Sequence, residues 1–335
     1  MAKSDGVLIV GGGIFGATAA LTLARRGRKV ALVDPGQLPH PRASSTDISK
    51  VIRMDYGADE FYMATMERAL RGWRAWNREW PEPLYHETGF LLLTREELSD
   101  GSFEGDSFAL LEARGHQPER LDEAAIAARF PAWSEAGYVD GYFNAQAGWA
   151  QAGEVVARIL ESCRQEGVLL REGVHVEQLW TEGTRVRGVE TSEGRIGAEQ
   201  VVLAAGAWTP GLLPELEGNV WSVGQPVFHF KTDRLDVFQP PKFVIWAADI
   251  SETGWYGFPA LDDGTVKIAN HGPGKRIAPE RQEAVDPEHE SRFRSFLRDS
   301  LPALADAPIL DSRLCFYSDS WDGDFYIDEV PGYEG

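Results

Sequence analysis

The stretch that decides the fold is Val7–Gly16, which reads VLIVGGGIFG. Its four apolar residues predict a short buried strand, and its glycines form a G-x-G-x-x-G loop. Residues 17–26 then carry alanine and leucine at helical spacing, and residues 29–33 are a second apolar run. Together these segments predict a strand, a glycine turn, a helix and a strand, a unit of roughly 30 residues that is typical of dinucleotide-binding folds.

The glycine loop predicts the position of the phosphates of a dinucleotide. In such a loop Gly11 permits a tight turn, Gly13 lets a pyrophosphate approach the backbone, and Gly16 lets helix and strand pack closely. The phosphates then lie at the helix N-terminus, where free N–H groups favour anions. Asp34 follows 18 residues after Gly16, where a carboxylate can accept hydrogen bonds from ribose hydroxyls. The motif alone does not distinguish NAD from FAD.

The composition excludes several classes of function. The 335 residues include 33 Lys+Arg and 52 Asp+Glu, and a net charge of −19 argues against binding to nucleic acid or an anionic membrane. Two cysteines, Cys163 and Cys315, are too few for a disulfide scaffold and have no metal-site spacing. No stretch approaches the ~20 apolar residues of a membrane span, and the N-terminus lacks a signal-peptide core. We therefore expect a cytoplasmic protein without a metal.

The rest of the chain predicts a mixture of helices and strands. Amphipathic spacing predicts helices at residues 59–80, 151–165 and 288–296, with a short one near 121–130. Apolar and β-prone runs predict strands at residues 88–94, 168–180, 186–191, 200–204, 265–270, 313–317 and 325–327. Residues 95–145 are otherwise expected to be mainly loops. The run that ends in Ala205 and Gly206 is either a second cofactor-binding segment or one more buried parallel strand.

Residues 44–56, which read SSTDISKVIRMDY, are the segment at which the chain resembles a known family, the D-amino-acid-oxidase-type flavoproteins. Within that family it is most similar to the sarcosine oxidases and their relatives, the fructosyl-amino-acid, saccharopine and pipecolate oxidases. Shorter matches follow in the family's order, at Asn144-x-x-x-Gly148-Trp149, Ala204–Trp208, Tyr256–Pro259, Lys267-x-x-x-His271 and Cys315–Tyr317. The resemblance runs from Val7 to the last residue, and it implies FAD as the cofactor.

The resemblance also implies the architecture. We expect an α/β fold in which a discontinuous, Rossmann-like FAD-binding domain holds an inserted, mainly antiparallel-sheet substrate domain. The FAD-binding domain would comprise residues 1–85, 145–220 and 311–335. The substrate domain would comprise residues 86–144 and 221–310. The active site would lie between the two, where ligand pockets often form.

The FAD-binding residues follow from the same resemblance. They are expected to be Gly11, Gly13, Ile14, Phe15, Gly16, Asp34, Ser45, Lys50, Val176, Ala205, Gly206, Trp208 and Cys315. Cys315 matches the cysteine that these enzymes attach to the flavin 8α-methyl group, a bond that a thiolate can form by nucleophilic attack. A buried, inert thiol is the alternative for Cys315. It is also our interpretation of Cys163.

Lys267 and His271 lie four residues apart, and the alternation of a predicted strand directs both to one face. In the family the matching lysine lies over the flavin and promotes its reaction with oxygen, because a cation stabilises the negative charge that develops. The matching histidine helps to shape the substrate site. A solvent-exposed strand face is the alternative for both residues.

Four further residues complete the expected catalytic set. Arg53 matches the arginine that holds the substrate carboxylate, a task that suits a bidentate guanidinium group. Tyr256 and Tyr317 match tyrosines near that carboxylate, with core packing as the alternative for Tyr256. Lys50 replaces an arginine of the sarcosine oxidases and is the residue that fructosyl-amino-acid oxidases carry, whereas His271 resembles the sarcosine oxidases.

The expected reaction is therefore the FAD-dependent oxidation of a secondary amine in an N-substituted amino acid. It would give an imine, which hydrolyses, and hydrogen peroxide from oxygen. The alternatives are a fructosyl-amino-acid, saccharopine or pipecolate oxidase, a flavin amine dehydrogenase with another acceptor, or a non-catalytic flavin-binding protein. The expected partners are the small amine and oxygen, and the protein is expected to act as a monomer.

The end of the sequence departs from the family pattern. The chain stops at Pro331–Gly335, whereas the family continues with a strand, a glycine-rich turn that carries a further lysine, and a helix. We therefore expect that this chain lacks a segment that helps to bind the flavin and completes the substrate pocket. Some relatives carry a C-terminal peroxisomal tripeptide, so in a eukaryotic cell the peroxisome is the alternative location.

Overall fold

The computed structural model describes residues 6–133, 136–281 and 284–335. Within these ranges the α-helices are α1 (Ile14–Arg25), α2 (Glu60–Glu79), α3 (Phe103–Ala113), α4 (Glu123–Arg129), α5 (Ala152–Gln165), α6 (Thr209–Leu212), α7 (Leu235–Phe238) and α8 (Pro287–Ser300). The strands of the first half are β1 (Val7–Val10), β2 (Val30–Asp34), β3 (Lys50–Ile52), β4 (Tyr85–His86), β5 (Phe90–Thr94), β6 (Glu119–Asp122), β7 (Asp140–Asn144) and β8 (Gly148–Ala150). The later strands are β9 (Leu169–Glu172), β10 (Val176–Glu182), β11 (Arg185–Thr191), β12 (Gly194–Gly197), β13 (Gln200–Leu203), β14 (Val220–Lys231), β15 (Ile245–Ala248), β16 (Trp255–Gly257), β17 (Thr265–Asn270), β18 (Lys275–Arg276) and β19 (Ile309–Ser320).

A parallel four-stranded sheet carries the glycine loop. Its strand order is β13-β1-β2-β9, and every neighbouring pair is parallel. Helices α1 and α5 cover one face, where Ala20 and Leu21 share a core with Ile159. The antiparallel sheet β10-β11-β12 covers the other face, where Val10 packs in a cluster with Val189. Both faces of the central strands are thus covered, which explains why β1 is apolar throughout and β2 is apolar up to Asp34.

A nine-stranded sheet forms the second large layer. Its order is β18-β14-β17-β16-β15-β5-β7-β6, and β19 pairs with β14. Every pair is antiparallel except β15 with β5. A parallel sheet backed by helices beside a mainly antiparallel sheet confirms the predicted α/β fold class. The strands β3-β8-β4 form a separate small antiparallel sheet.

The last long strand belongs to the large sheet by its hydrogen bonding. The pairing of β19 with β14 runs from Val220 opposite Ser320 to Phe230 opposite Ile309. The predicted boundary at residue 311 assigns most of β19 to the FAD-binding domain, and the domain boundaries stay a prediction. The end of the chain does contact the parallel sheet, since the Val201 N–H donates to the Gly335 carbonyl at 2.7 Å.

Three local predictions need correction. Residues 168–180 form two strands, because β9 pairs with β2 in the parallel sheet and β10 pairs with β11 in the antiparallel sheet, with Gly173 at φ +74 between them. The region expected to be mainly loops contains α3, which Ser102 caps by accepting from the Gly105 N–H at 3.0 Å. Residues 325–327 form no strand, and Ile327 is 82% exposed because no described element covers it.

The large sheet separates a packed core from the face that carries the site. Helix α8 packs Phe293 and Leu297 against one side of the sheet, in a core that also buries Val266 and Ile268 of β17. The side chains of a strand alternate between its two faces. Lys267, which lies between Val266 and Ile268, therefore projects from the opposite face.

The described residues contain no helix that is long and apolar enough to span the bilayer. Among these same residues, no group of three or more His, Cys, Asp or Glu side chains could hold a metal ion.

Candidate active site

The glycine loop is built for a close approach between elements. Gly11 has φ +105, and a Cβ there would lie 2.4 Å from the Ala204 carbonyl oxygen. A Cβ on Gly16 would lie 1.9 Å from the Gly11 carbonyl oxygen. A Cβ on Gly13 would meet only Ser45 Oγ, at 3.3 Å. The first and third glycines thus allow the chain to pack on itself, whereas the outer side of Gly13 is open to a ligand.

Asp34 has a structural role that the sequence did not reveal. Its Oδ2 accepts from the Gly12 N–H at 2.8 Å, and its Oδ1 accepts from the Gly36 N–H at 2.9 Å. The carboxylate therefore braces the glycine turn, and each oxygen keeps capacity for a further hydrogen bond. Ser45 Oγ accepts from the Ile14 N–H at 3.1 Å, at the start of α1. Two predicted cofactor residues, Asp34 and Ser45, thus lie at the loop.

The other predicted cofactor residues differ in their surroundings. Val176 is buried beneath the parallel sheet, and its side chain packs with Val33. Phe15 is 60% exposed, and its ring lies 6.4 Å from that of Phe325. Phe15 and Val176 therefore lie in two different settings, one at the surface and one in the core.

The segment after β13 leads towards Cys315. Ala205 and Gly206 follow the strand, and Trp208 lies 5.8 Å from the ring of Phe316. The Arg42 guanidinium lies over both rings, 5.6 Å from Trp208 and 5.1 Å from Phe316. A cavity of about 290 Å³ adjoins this cluster, and its lining includes Pro41, Arg42, Ala43, Arg313, Leu314, Cys315 and Phe316.

One face of the large sheet carries three of the six predicted catalytic residues, Tyr256, Lys267 and Tyr317. In the register of β14 with β17, His229 lies opposite Lys267. In the register of β14 with β19, Gln225 lies opposite Cys315 and Val223 lies opposite Tyr317. Because the side chains alternate along each strand, these positions share a face. That face carries Val223, Gln225, Val227, His229, Tyr256, Lys267, Ala269, Arg313, Cys315 and Tyr317.

Lys267 is buried, not on a solvent-exposed strand face. Its side chain is 1% exposed, and its Nζ donates to Asp47 Oδ2 and to the Ser49 carbonyl, both at 2.6 Å. The ammonium also lies 4.6 Å from the ring centroid of Phe258. Burial and the charge of Lys50 lower the pKa of Lys267 to about 8, although Asp47 opposes the change. Lys267 is therefore a charged group at neutral pH.

Asp47 is the anion at the centre of the cluster, and sequence reasoning missed it. Its side chain is 1% exposed, and Arg313 Nη2 lies 3.2 Å from Oδ2. Lys50 Nζ lies 3.9 Å from Oδ2, and His229 Nε2 lies 3.8 Å from Oδ1. Burial acts to raise the pKa of Asp47, but Lys267, Arg313 and Lys50 outweigh it and hold the pKa far below its usual range.

Cys315 lies beside a lysine. Its residue is 2% exposed, and Lys50 Nζ lies 3.3 Å from Sγ. Burial acts to lower the pKa of Lys50, but Cys315, Tyr256 and Asp47 outweigh it and raise the pKa. The Lys50 ammonium is therefore a positive charge in direct contact with Sγ. Cys163, by contrast, is enclosed in the core, and burial raises the pKa of its thiol to about 11.

Two tyrosines and a histidine form an adjoining group. The hydroxyl oxygens of Tyr256 and Tyr317 are 3.1 Å apart, and the ring of His271 lies 6.0 Å from that of Tyr317. Burial raises the pKa of both phenols, so both are protonated at neutral pH. His271 lies just beyond the end of β17, not within the predicted strand, and it is exposed. Partial burial of its ring lowers the pKa of His271, Asp319 opposes this effect, and the charge of Arg53 adds to it. Arg53 therefore lies close enough to act on the same group.

Arg53 has an unused donor. Its Cζ lies 4.5 Å from the ring centroid of Tyr56 and 6.0 Å from that of Phe103. Its Nη1 is buried without a hydrogen-bond partner in the part of the chain that the structure describes. A buried guanidinium N–H without a partner is unfavourable, so this atom is suited to an anionic ligand.

The unsatisfied polar atoms test whether the site fits a flavin. In addition to Arg53 Nη1, four buried side-chain atoms near Asp47 have no hydrogen-bond partner among the described residues. They are Thr46 Oγ1, Ser49 Oγ, His229 Nε2 and Arg313 Nε. Buried polar atoms in proteins are nearly always satisfied. Taken together, these unsatisfied atoms, the open side of Gly13 and the cavity at Cys315 fit a large polar ligand such as FAD.

Comparison with known proteins agrees with this fit. The sequence model of the FAD-dependent oxidoreductase family known as DAO matches residues 6–335. N-methyl-L-tryptophan oxidase from Salmonella arizonae is 29% identical over 334 residues, which cover 98% of this chain and 87% of that protein.

Solved structures are also similar. The deglycating enzyme fructosamine oxidase (Amadoriase II) from Aspergillus fumigatus has a TM-score of 0.82 at 26% identity, covering 99% of this chain and 80% of that one. L-proline dehydrogenase from P. horikoshii has a TM-score of 0.84 at 18% identity, over 99% of this chain and 86% of that one, which is a likeness of fold alone. The family match spans every described element, and the chain therefore belongs to the DAO family of FAD-dependent oxidoreductases.

Proposed function

We propose that this chain oxidises the secondary amine of an N-substituted amino acid, with oxygen as the electron acceptor. The observation that carries the proposal is the single sheet face shared by Lys267, Cys315, Tyr256 and Tyr317. FAD, when bound, supplies the redox chemistry, in which the C–H bond beside nitrogen yields a hydride equivalent and oxygen takes two electrons and two protons to become hydrogen peroxide. Water then hydrolyses the imine.

The residues for FAD binding divide into two groups. The glycine loop and Asp34 would hold the ADP half, because the loop presents backbone N–H groups and Asp34 has acceptor capacity left. The other residues proposed to bind the cofactor are Ile14, Phe15, Ser45, Lys50, Val176, Ala205, Gly206, Trp208 and Cys315.

Cys315 is proposed as the covalent tether. Its Sγ would bond to the flavin 8α-methyl carbon, with loss of the thiol proton and one methyl proton, and the two electrons released would reduce the flavin, which oxygen would reoxidise. Lys50, whose Nζ lies 3.3 Å from Sγ, would place a positive charge beside the sulfur. The buried position of Cys315 beside a cavity of about 290 Å³ supports this role. Cys163 lies in the helical core, where its Sγ contacts the Ala17 carbonyl at 3.4 Å.

Lys267 is proposed as the group that promotes the reaction with oxygen. Oxygen reduction develops negative charge, and a fixed cation in a water-poor site stabilises that charge. The buried ammonium of Lys267 supports this role. The same cation favours an oxidase over a dehydrogenase.

Arg53 is proposed to bind the substrate carboxylate through its unused donor. The charge of Arg53 acts on His271, which stacks beside Tyr317, so the three groups would orient the amino acid together. Both phenols are protonated at neutral pH and can donate hydrogen bonds. We propose no strong base, because an unprotonated amine can react directly. N-methyl-L-tryptophan, which names one relative, has both the secondary amine and the carboxylate.

A fructosyl amino acid is the second candidate substrate. Lys50 favours it, because fructosyl-amino-acid oxidases carry lysine at the matching position, and a fructosamine oxidase is 26% identical to this chain. Saccharopine and pipecolate contain the same kind of secondary amine. These candidates differ in the group attached to nitrogen, not in the bond that is oxidised.

The test is anaerobic mixing of the purified flavoprotein with a panel of amines. The panel comprises sarcosine, N-methyl-L-tryptophan, pipecolate, saccharopine and a fructosyl amino acid. We expect at least one to bleach the flavin absorbance, and air to restore it with formation of hydrogen peroxide. Bleaching that only an artificial acceptor reverses would show a dehydrogenase. No bleaching with any amine would contradict the proposed function.

We further propose that the enzyme acts as a cytoplasmic monomer. Its two cysteines are unpaired and buried, which is consistent with a reducing compartment. Sedimentation at micromolar concentration tests the state of association, and a dimer would contradict it.

A further inference from the structure

Lys267 depends on a carboxylate that lies outside its own strand. Its ammonium is 1% exposed, and a buried charge is unfavourable unless it is paired. Asp47, from the segment before β3, contacts it at 2.6 Å. The Ser49 carbonyl accepts a second hydrogen bond from the same nitrogen at 2.6 Å. These two contacts use two of the three donors of Lys267, and therefore fix the direction of its third.

The other charges around Lys267 act against it. Lys50 adds a repulsive charge that lowers the pKa of Lys267, and burial lowers it further. The groups that face the cluster from each neighbouring element are Asp47 and Lys50 before and within β3, His229 from β14, Tyr256 from β16, and Asp311, Arg313, Cys315 and Tyr317 from β19. Among these described groups, only Asp47 is a carboxylate in contact with Lys267.

We propose that Asp47 is a positioning residue for the oxygen reaction, which holds the Lys267 ammonium charged and directed into the site. The inference rests on the proposed function, because it gives Asp47 a role only through Lys267. Asp47 does not itself need to touch the cofactor or the substrate. Its removal would leave Lys267 buried beside Lys50 without a counter-ion, so the lysine would lose its proton at neutral pH.

The test replaces Asp47 by asparagine, which keeps the shape of the side chain and removes its charge. Asp311→Asn is the matched control, because Asp311 lies on the same sheet face and near His229 but is 59% exposed. Stopped-flow experiments from pH 6 to 9 would measure flavin reduction by substrate and reoxidation by oxygen separately. For Asp47→Asn we expect reoxidation at pH 8 to fall roughly a hundredfold and to recover as the pH decreases. Reduction should change little, and Asp311→Asn should resemble the wild type.

A second readout does not depend on turnover. The pKa of Lys267 in the folded protein, about 8, is below its ordinary value of 10.5, so between these values the unfolded chain binds more protons. The contribution of Lys267 to the free energy of unfolding therefore rises with pH between these two pKa values. Loss of Asp47 would lower the folded pKa further and extend the window below pH 8. The difference in Tm between Asp47→Asn and the wild type should therefore shrink as the pH rises from 6 to 8.

The outcomes separate this inference from the proposed function. If Lys267→Met leaves reoxidation unchanged, the role of Lys267 itself is wrong. If Lys267→Met slows reoxidation but Asp47→Asn keeps the wild-type pH profile, only the role of Asp47 is overturned. If Asp47→Asn does not fold, Lys267→Met is compared with the double variant, which lacks both charges. Equal reoxidation rates would support the inference, and a further loss in the double variant would overturn it.

Discussion

Replacing Lys267 by methionine should slow the reaction of the reduced flavin with oxygen and leave its reduction by substrate nearly unchanged. Methionine keeps the length and apolar volume of the lysine stem but removes the charge. Oxygen reduction develops negative charge that a cation stabilises, whereas we expect transfer of a hydride equivalent from the substrate to depend little on this cation. The two half-reactions should therefore respond differently to one substitution.

The structure sets the size of the effect. Removal of one preorganised group from such a site costs about 3 kcal/mol, or roughly a hundredfold in rate. Lys267 is 1% exposed, so water does little to screen its charge. Asp47 keeps Arg313 at 3.2 Å and Lys50 at 3.9 Å, and the fold should therefore tolerate the loss of one cation. The cost should appear in reoxidation, not in the yield of folded protein.

The assay is stopped-flow measurement of each half-reaction as a function of pH. The pKa of Lys267 is about 8, and its charge is lost as the pH rises through that value. The wild-type reoxidation rate should therefore fall above pH 8, and the rate of Lys267→Met should be low and independent of pH. Lys231→Met is a suitable control, because the Lys231 ammonium binds the Asp263 carbonyl at an exposed site on the same sheet. Unchanged reoxidation in Lys267→Met would refute the reasoning.

Three further predictions concern the cofactor and the substrate. Gly13→Val should abolish flavin binding, since the outer side of Gly13 is the open part of the loop; a normal flavin absorbance would contradict this. Acid precipitation should release the flavin from Cys315→Ala but not from Cys163→Ala, and equal release from both would exclude the tether at Cys315. Arg53→Met should raise KM for the amino acid by roughly tenfold to a hundredfold, as expected for loss of a charged hydrogen bond. An equal rise in KM for the methyl ester of the substrate would argue against a carboxylate contact.

The sequence was sufficient for the local features of the site. The glycine loop was predictable because its turn and its helix N-terminus are formed by consecutive residues. The direction of Lys267 was predictable because alternation in a strand depends only on neighbouring positions, and Val266 and Ile268 are indeed in the core. The α/β fold class followed from the same local patterns together with the family resemblance.

Two other parts of the secondary structure were predicted wrongly from the sequence. Helix α3 lacks a strong amphipathic pattern, and its N-terminus is set by the Ser102 cap. Residues 325–327 are apolar and β-prone, but a strand needs a partner, and none of the described segments pairs with them. Composition could not show the second outcome, because strand formation depends on what lies next to the segment in space.

The sequence by itself determined which candidate cofactor-binding and catalytic residues the chain contains and in which short motifs they occur. Only the tertiary structure decided that Asp47 lies against Lys267, 220 positions away in the chain, and that Lys50 lies against Cys315. The physical reason is that charge pairing and burial act through space, over a few ångströms, and the packing of the segment that carries Asp47 and Lys50 against β17 and β19 sets those distances. The charge state of a buried lysine is therefore a property of the fold and not of its sequence neighbours.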